Sequence, residues 1–467
     1  MSKPTRTAEI PRSPFSNGLI RVVYELLFTV LLILASPSLV LKMLRRGQWK
    51  HGFGQRFGRF DPELTEGLAG QSTLWLNAVS VGEVNLTAQL VTLLQQRLTG
   101  TRFVVSTTTT TGMVELKRKL PDDVLKIYYP LDYRSFVRRT IRAIRPQAIV
   151  LVEADLWPNL IFEAQAEGIP VILVNALISE GSGRRYRQFG ILFRHLFASF
   201  DRVFCADSVD KQRLVSLGCR PEAVKAVGHP KMDTAISTDD SPLDVRSILN
   251  QIGLPKEATV ILGGSTHEDE ELILARVYLQ LKSEFTSLFL ILVPRHFERT
   301  TKVARDLGAL GITVLLKTKL PSSRLNLTES PHCLIVDTTG ELRHFYREAD
   351  IIVIGKSFVE GGGQNPIEPA ALGRAIITGP NMNVFKAILP RFLEQNALIQ
   401  VRDAEELEAS VRKLLDDPEE RESLGQRARS VVEENQGALE RTADGIIARF
   451  NHERAQLQPK AMTGRLS

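Results

Sequence analysis

The strongest constraint on this chain is a pattern of short, almost continuously apolar runs separated by segments of helical spacing, arranged in two successive blocks. The first block holds TLWLNAVS (73–80), RFVVSTTT (102–109), AIVLVEA (148–154), PVILVNA (170–176) and RVFCAD (202–207). Between its first two runs, VNLTAQLVTLLQQRL (84–98) has the spacing of a helix. A polar stretch, Ser237–Ser241 with Pro242, reads as a linker. The pattern then restarts with TVILGGS (259–265), LFLILVPR (288–295), GITVLL (311–316), LIVD (334–337), DIIVIG (350–355) and RAIITG (374–379). Strands apolar on both faces cannot face water, so they predict parallel sheets covered by helices on each side. The expected fold class is therefore α/β, with two Rossmann-like domains facing a cleft. The expected boundaries are 1–48 for an N-terminal tail and membrane anchor, 49–236 and 237–454 for the two domains, and 455–467 for a loose tail. A length of 467 residues suits two such domains. Open parallel sheets bind ligands beyond the carboxyl ends of their strands, so the residues just after each strand are the first candidates for function.

Composition narrows the class. Hydrophobic residues make up 43% and charged residues 24%, which is neither disordered nor coiled-coil usage. Three cysteines (Cys205, Cys219 and Cys333) have no metal-ligand spacing and imply no disulfide framework, so the soluble part reads as cytosolic. The net charge of +6 is matched by one segment: Lys42, Arg45, Arg46, Lys50, Arg56 and Arg59 occur between Lys42 and Phe60 with no acid among them. A nucleic-acid binder spreads its basic residues over a folded face, and no nucleic-acid partner is expected here. These cations instead follow the apolar stretch Leu19–Leu41, whose 23 residues would reach about 34 Å as a helix. Interleaved with Trp49, Phe53, Phe57 and Phe60, they suit anionic headgroups and an aromatic belt. A cleaved signal peptide is opposed by the charges after the apolar core, and a helix lying in the interface or packed on the domain is a further reading. The expectation carried forward is a single N-terminal membrane anchor with the large C-terminal part in the cytoplasm.

The informative clusters all fall at strand ends. Ser80-Val81-Gly82-Glu83 opens a helix; it is either a capping box or a carboxylate held where a substrate can approach. Glu153-Ala154-Asp155 leaves an apolar strand, where acids are costly unless paired, for instance with Arg184-Arg185, or exposed to a ligand. Lys231, in Gly228-His229-Pro230-Lys231-Met232-Asp233, either neutralises an anionic group or is an exposed interdomain lysine. In the second block, Gly263-Gly264-Ser265-Thr266-His267-Glu268 opens a helix whose amides can hold an anion. Arg295, in Pro294-Arg295-His296, can fork onto a phosphate or carboxylate. Thr338-Thr339-Gly340-Glu341-Leu342 repeats the turn-then-helix arrangement. Gly361-Gly362-Gly363-Gln364-Asn365-Pro366-Ile367-Glu368-Pro369 either presents a helix start to a nucleotide phosphate or is a flexible turn. No Asp-x-Asp, HExxH, CxxC or GxxxxGK[ST] occurs, so metal-independent chemistry without a cofactor is expected.

Taken together, SVGE, the Glu153 stretch with LWPN, GSTHE, PRH-x-ER, the D-T-x-GEL stretch and the glycine loop ending in NPIEPAA resemble, in order, the 3-deoxy-D-manno-octulosonic acid (Kdo) transferases of Gram-negative bacteria. The resemblance runs from the apolar segment to about Gln436. It implies a GT-B fold and an inverting, metal-independent transfer of Kdo from CMP-Kdo to a lipid A precursor at a membrane of anionic lipids. It places Glu83 on the general base and Glu153 and Lys231 on supporting polar groups. It places Pro294, Arg295, Thr339, Gly340, Glu341, Asn365, Pro366, Ile367 and Glu368 on CMP-contacting stretches, with Ser265, Thr266, Gly362 and Gly363 as further donor contacts. Several positions depart from the family pattern: Gln364 stands where histidine is usual, Leu177 where arginine is usual, and Lys356 and Gly361 are unusual around the glycine loop. The alternatives are a GT-B enzyme using a UDP-sugar on a lipid-linked acceptor, and a membrane-tethered binding protein without catalysis.

Overall fold

The computed structural model describes residues 22–34, 36, 52–153, 156–178, 180–188, 190–234, 243–320, 331–386 and 388–457. It contains two compact units, each built on a seven-stranded parallel sheet. In the first, β1 (Ser72–Asn77), β2 (Thr101–Thr107), β3 (Leu125–Tyr128), β4 (Ala148–Val152), β5 (Val171–Val174), β6 (Arg202–Cys205) and β7 (Val224–Ala226) lie in the order β3-β2-β1-β4-β5-β6-β7. Alternation along each strand feeds two separate cores. Trp75, Ile149 and Leu151 pack on one face of this sheet, and Leu74, Leu76, Val150 and Val152 on the other. Chain order reverses between β1 and β4, where Asn77 pairs with Leu151.

The second unit repeats the design with β8 (Thr259–Thr266), β9 (Leu288–Pro294), β10 (Val314–Leu316), β11 (Cys333–Ile335), β12 (Ile351–Ile354), β13 (Ala375–Thr378) and β14 (Ile399–Gln400), ordered β10-β11-β9-β8-β12-β13-β14. Its switch point lies between β8 and β12, and one buried carboxylate ties the loops on its two sides together. Glu270 accepts backbone N–H groups from His267 after β8 (2.8 Å) and from Lys356 (2.6 Å), Ser357 (2.9 Å) and Phe358 (3.0 Å) after β12. Burial pushes this carboxyl upward from its ordinary range, and the four amides oppose the shift. Next to it, Glu271 takes a two-pronged ion pair from Arg299 (3.1 Å to each oxygen) and the Thr266 hydroxyl (2.9 Å).

The unit boundaries correct the expected ones. The second unit is Lys231–Gln436, and the residues from Gly437 onward belong to the first, not to a 237–454 domain. The reason is the helix Ala438–Leu457, whose Leu439, Ala443, Ile446 and Phe450 recur at helical spacing and join the core beneath the helix Val81–Arg97. Gly445 lets it approach closely, since a Cβ there would lie 2.2 Å from the Phe204 ring. Arg449 Nε bonds Asp201 (2.9 Å) and Arg441 Nε bonds the Val227 carbonyl (2.8 Å). The expected linker at 237–242 and the tail beyond Leu457 lie outside the described residues.

The expected spanning anchor, Leu19–Leu41, lies partly outside the described residues. Among the described residues no helix is long and apolar enough to cross a membrane. Residues 22–34 form a helix docked on the first unit through its polar and aromatic side. Tyr24 donates to the buried Asp132 (2.9 Å), and Glu25 accepts from Arg134 N (2.9 Å) and Asn159 Nδ2 (3.2 Å). Phe28 packs edge-on against Tyr133, with ring centroids 5.3 Å apart. Asp132 also accepts Asn159 N and Leu160 N at 3.0 Å each, and burial lifts its carboxyl to about 6. On the opposite side Val22, Val23, Leu26, Leu27, Val30, Leu31, Ile33 and Leu34 are 47–73% exposed. Of the basic collar, Lys42, Arg45, Arg46, Trp49 and Lys50 lie outside the described residues. Arg56 turns inward, its guanidinium 4.4 Å from the Tyr128 ring centre and bonded to the Thr108 carbonyl (2.9 Å).

Two stability measurements check this packing. Gly445→Ala, which gains about 1 kcal/mol in an open helix, should here lower the urea midpoint because its methyl meets Phe204. Glu270→Gln should cost at least about 2 kcal/mol, since an amide nitrogen cannot accept the N–H groups that the carboxylate satisfies.

Candidate functional site

In the second unit the carboxyl ends of β8, β9 and β11, with the loop after β12, surround a cavity of about 500 Å³. Ser265 closes it from the end of β8, and Val293, Pro294 and Arg295 from the end of β9. Thr338, Thr339 and Gly340 enter after β11, with Leu342, Arg343 and Tyr346 on the helix that follows. Gln364, Asn365 and Glu368 complete the wall from the glycine loop. Seven sequence-expected donor residues therefore converge on one cavity: Ser265, Pro294, Arg295, Thr339, Gly340, Asn365 and Glu368. Its size and its mixed wall of amide, hydroxyl, guanidinium and apolar groups suit a nucleotide.

Other expected residues stand behind this wall. Glu341 is ion-paired with Lys317 (2.7 Å) and receives the Thr338 hydroxyl. Thr266 is buried on Glu271, and Ile367 is buried with its N–H on Asn365 Oδ1 (3.0 Å). Pro366 caps the short helix Ile367–Ala371. Asn365 Nδ2 in turn donates to Glu368 (3.0 Å), fixing both side chains. Gly361, Gly362 and Gly363 have φ of 132°, 94° and 77°, a run of backbone that side chains rarely adopt. The last two hold the loop by Val384 N to Gly362 O (2.9 Å) and Gly363 N to Lys356 O (2.8 Å). Sequence reading missed Val293, Arg343 and Tyr346 as wall residues. The available signal was the helical spacing of Leu342 and Tyr346 immediately after a strand-end turn.

In the first unit Glu83 and Glu153 follow β1 and β4, the two strands at its own switch point. The capping box at Ser80 is present: its hydroxyl accepts Glu83 N (3.2 Å), while the Glu83 carboxylate accepts Ser80 N (3.2 Å) and Val79 N (2.7 Å). Glu83 is only 5% exposed, turned back over the start of its helix rather than standing open. A carboxylate has about four acceptor directions, so the two amides fix it without saturating it. Glu153 sits at φ 64° and Asn175, after the neighbouring β5, at φ 51°. Asn175 Nδ2 bonds Glu153 Oε1 (3.2 Å), whereas Arg184 and Arg185, the partners considered from sequence, are exposed. Two adjacent non-glycine residues in the left-handed region cost on the order of 1–3 kcal/mol each, and such strain concentrates at functional edges. Lys231 lies in the short helix Pro230–Thr234; its side chain and Asp155 lie outside the described residues.

Residues 51–234 match the family model described as 3-deoxy-D-manno-octulosonic-acid transferase (kdotransferase), and residues 317–431 match that of glycosyl transferases group 1. The chain is 29% identical over 431 residues to the 3-deoxy-D-manno-octulosonic acid transferase of Haemophilus influenzae, covering 90% of this chain and 98% of that one. It is 30% identical over 435 residues to the enzyme of the same name from Bordetella pertussis, again covering 90% and 98%. In architecture it resembles the UDP-GlcNAc 2-epimerase of Neisseria meningitidis, with a TM-score of 0.54 at 12% identity over 81% of this chain and 100% of that chain, a likeness of fold alone. Two parallel-sheet units of the GT-B kind, together with relatives matched along nearly their whole length, show that this chain is a glycosyltransferase belonging to the Kdo transferase family.

Proposed function

We propose that this enzyme transfers Kdo from CMP-Kdo to a lipid A precursor in a single inverting displacement that needs no metal ion. The observation that carries this reading is the cavity of the second unit, where seven residues singled out from sequence as donor contacts meet at a strand switch point. CMP occupies that cavity. Arg295 and the amides of the surrounding loops stabilise the phosphate charge that grows as CMP departs. An acceptor hydroxyl attacks the anomeric carbon of Kdo from the side opposite CMP; the new C–O bond forms as the bond to the phosphate oxygen breaks. The hydroxyl proton passes to the Glu83 carboxylate, which its two amide donors hold in position. Glu153, oriented by Asn175, and Lys231 support the reacting groups.

The apolar outer side of helix 22–34 supports a second element of this reading. Docked by Tyr24, Glu25 and Phe28, the helix turns its leucines and valines outward as an interfacial helix does, at the surface where a lipid acceptor is met. We place that surface at the cytoplasmic leaflet of the inner membrane.

Mass spectrometry of a lipid A precursor incubated with purified enzyme and CMP-Kdo should show added Kdo; products formed only from UDP-sugars would reject this donor. Glu83→Gln should lower turnover by at least about 100-fold while CMP binding, measured by calorimetry, stays within about twofold; wild-type turnover would remove Glu83 as the base. Leu27→Asp with Leu31→Asp should abolish flotation with anionic phospholipid vesicles at an unchanged melting temperature. Undiminished flotation would reject the lipid role of this helix.

A further inference from the structure

In the first unit the helix Pro158–Ala166 starts without a cap of its own. Trp157, at the N-cap position, has no side-chain acceptor, and Pro158 has no N–H, so the orphaned donors are Asn159 N and Leu160 N. Both go to one carboxylate outside the helix. Asp132, in the loop after β3, accepts Asn159 N on Oδ2 and Leu160 N on Oδ1, each at 3.0 Å. This distant side chain does what Ser or Asp does in an ordinary cap. Helix 22–34 completes the same carboxylate: Tyr24 donates its hydroxyl to Oδ2, the oxygen that also takes Asn159 N. Glu25 Oε1 takes both Arg134 N and Asn159 Nδ2, and the Thr29 and Tyr133 hydroxyls lie 2.9 Å apart. Asn159 Nδ2 also donates to the Asp132 carbonyl (2.5 Å), and Arg134 Nε to the buried Glu163 of the capped helix (2.9 Å).

The start of that helix also fixes the segment leaving β4. Glu153 N bonds the Val174 carbonyl (2.9 Å), and only three residues separate Glu153 from Trp157. The Trp157 ring lies on Tyr129, with centroids 4.8 Å apart, and Tyr129 lies against Trp75 at 6.2 Å. The segment carrying Glu153 is therefore held at both ends, and its far end depends on Asp132. A connection this short cannot absorb a shift of the first helical turn, so such a shift reaches the strained backbone of Glu153.

We propose that Asp132 and Asn159 are positioning residues that tie the seating of helix 22–34 to the placement of Glu153. The inference rests on the Kdo-transfer reading, in which Glu153 supports the reacting groups and the helix meets lipid, and it deepens that reading. The helix does more than attach the enzyme to a surface. Through Tyr24 and Asp132 it holds the strand end from which Glu153 acts, so lipid contact and reaction geometry share one buried carboxylate.

Tyr24→Phe in the full-length enzyme tests it, because it removes one hydroxyl and keeps the ring stacked on Phe28 (5.8 Å). Its kcat for Kdo transfer should fall about tenfold, as small misplacements of supporting groups cause, while KM for CMP-Kdo changes less than about twofold. Melting temperature and flotation with anionic phospholipid vesicles should stay as in wild type. Backbone hydrogen exchange across residues 153–160 should quicken about fivefold, the equivalent of one net hydrogen bond. Asp132→Asn, which replaces an accepting oxygen by a donor, should show both changes more strongly. Wild-type kcat in Tyr24→Phe, or a loss that merely follows flotation or melting temperature, would overturn the proposal. If the wild-type enzyme transfers no Kdo, the transfer reading falls by itself and exchange decides the rest: equal rates across 153–160 in wild type and Tyr24→Phe reject the link.

Discussion

The second unit depends on a single buried carboxylate. A parallel sheet splays its loops apart at the switch point, and nothing in the ladder joins the loop after β8 to the loop after β12. Glu270 makes that connection by accepting four backbone N–H groups, one from the first loop and three from the second. The cost of burying its charge is offset by amides that would otherwise be orphaned in the same place. His267, Lys356 and the glycine run are positioned by that one residue. It lies behind the cavity and touches none of its space.

The first unit concentrates its irregularities at the corresponding edge. Glu83 serves as both cap and proposed base, so the hydrogen bonds that start a helix also orient the carboxylate assigned to chemistry. Glu153 and Asn175 take left-handed backbone on adjacent strands and bond to each other. Both features stand beyond strand ends, and the strands that lead to the second, β4 and β5, are apolar throughout. Both fall on the two sides of the gap between β1 and β4, where open sheets receive ligands.

Much of this was legible in the sequence because it is local. Strands such as AIVLV and TVILGGS follow from unbroken apolar runs, and the cavity residues follow from their position just beyond such runs. What could not be read depends on partners distant in the chain. The helix Ala438–Leu457 has an ordinary amphipathic pattern, and only the core beneath Val81–Arg97 and the ring of Phe204 decide which unit it joins. The stretch around Leu26–Leu34 reads as uniformly greasy, yet Tyr24, Glu25 and Phe28 form a docking face once Asp132, Arg134 and Tyr133 are in place. Arg56 counted toward a lipid-facing collar until Tyr128 drew it inward. Glu341 is a CMP contact by family resemblance, and its ion pair with Lys317, 24 residues away, is not legible in its own stretch.

The helix Ala438–Leu457 also determines the sequence of events during synthesis. Because Leu439, Ala443, Ile446 and Phe450 complete a core begun more than 350 residues earlier at Leu74, the first unit stays unfinished until that helix has been made. The second unit has all its strands before that helix emerges, so it can consolidate as an insert while its host waits with an exposed groove. A nascent chain stalled before Gly437 would carry a finished second unit and an incomplete first one, and would be a natural client for chaperones.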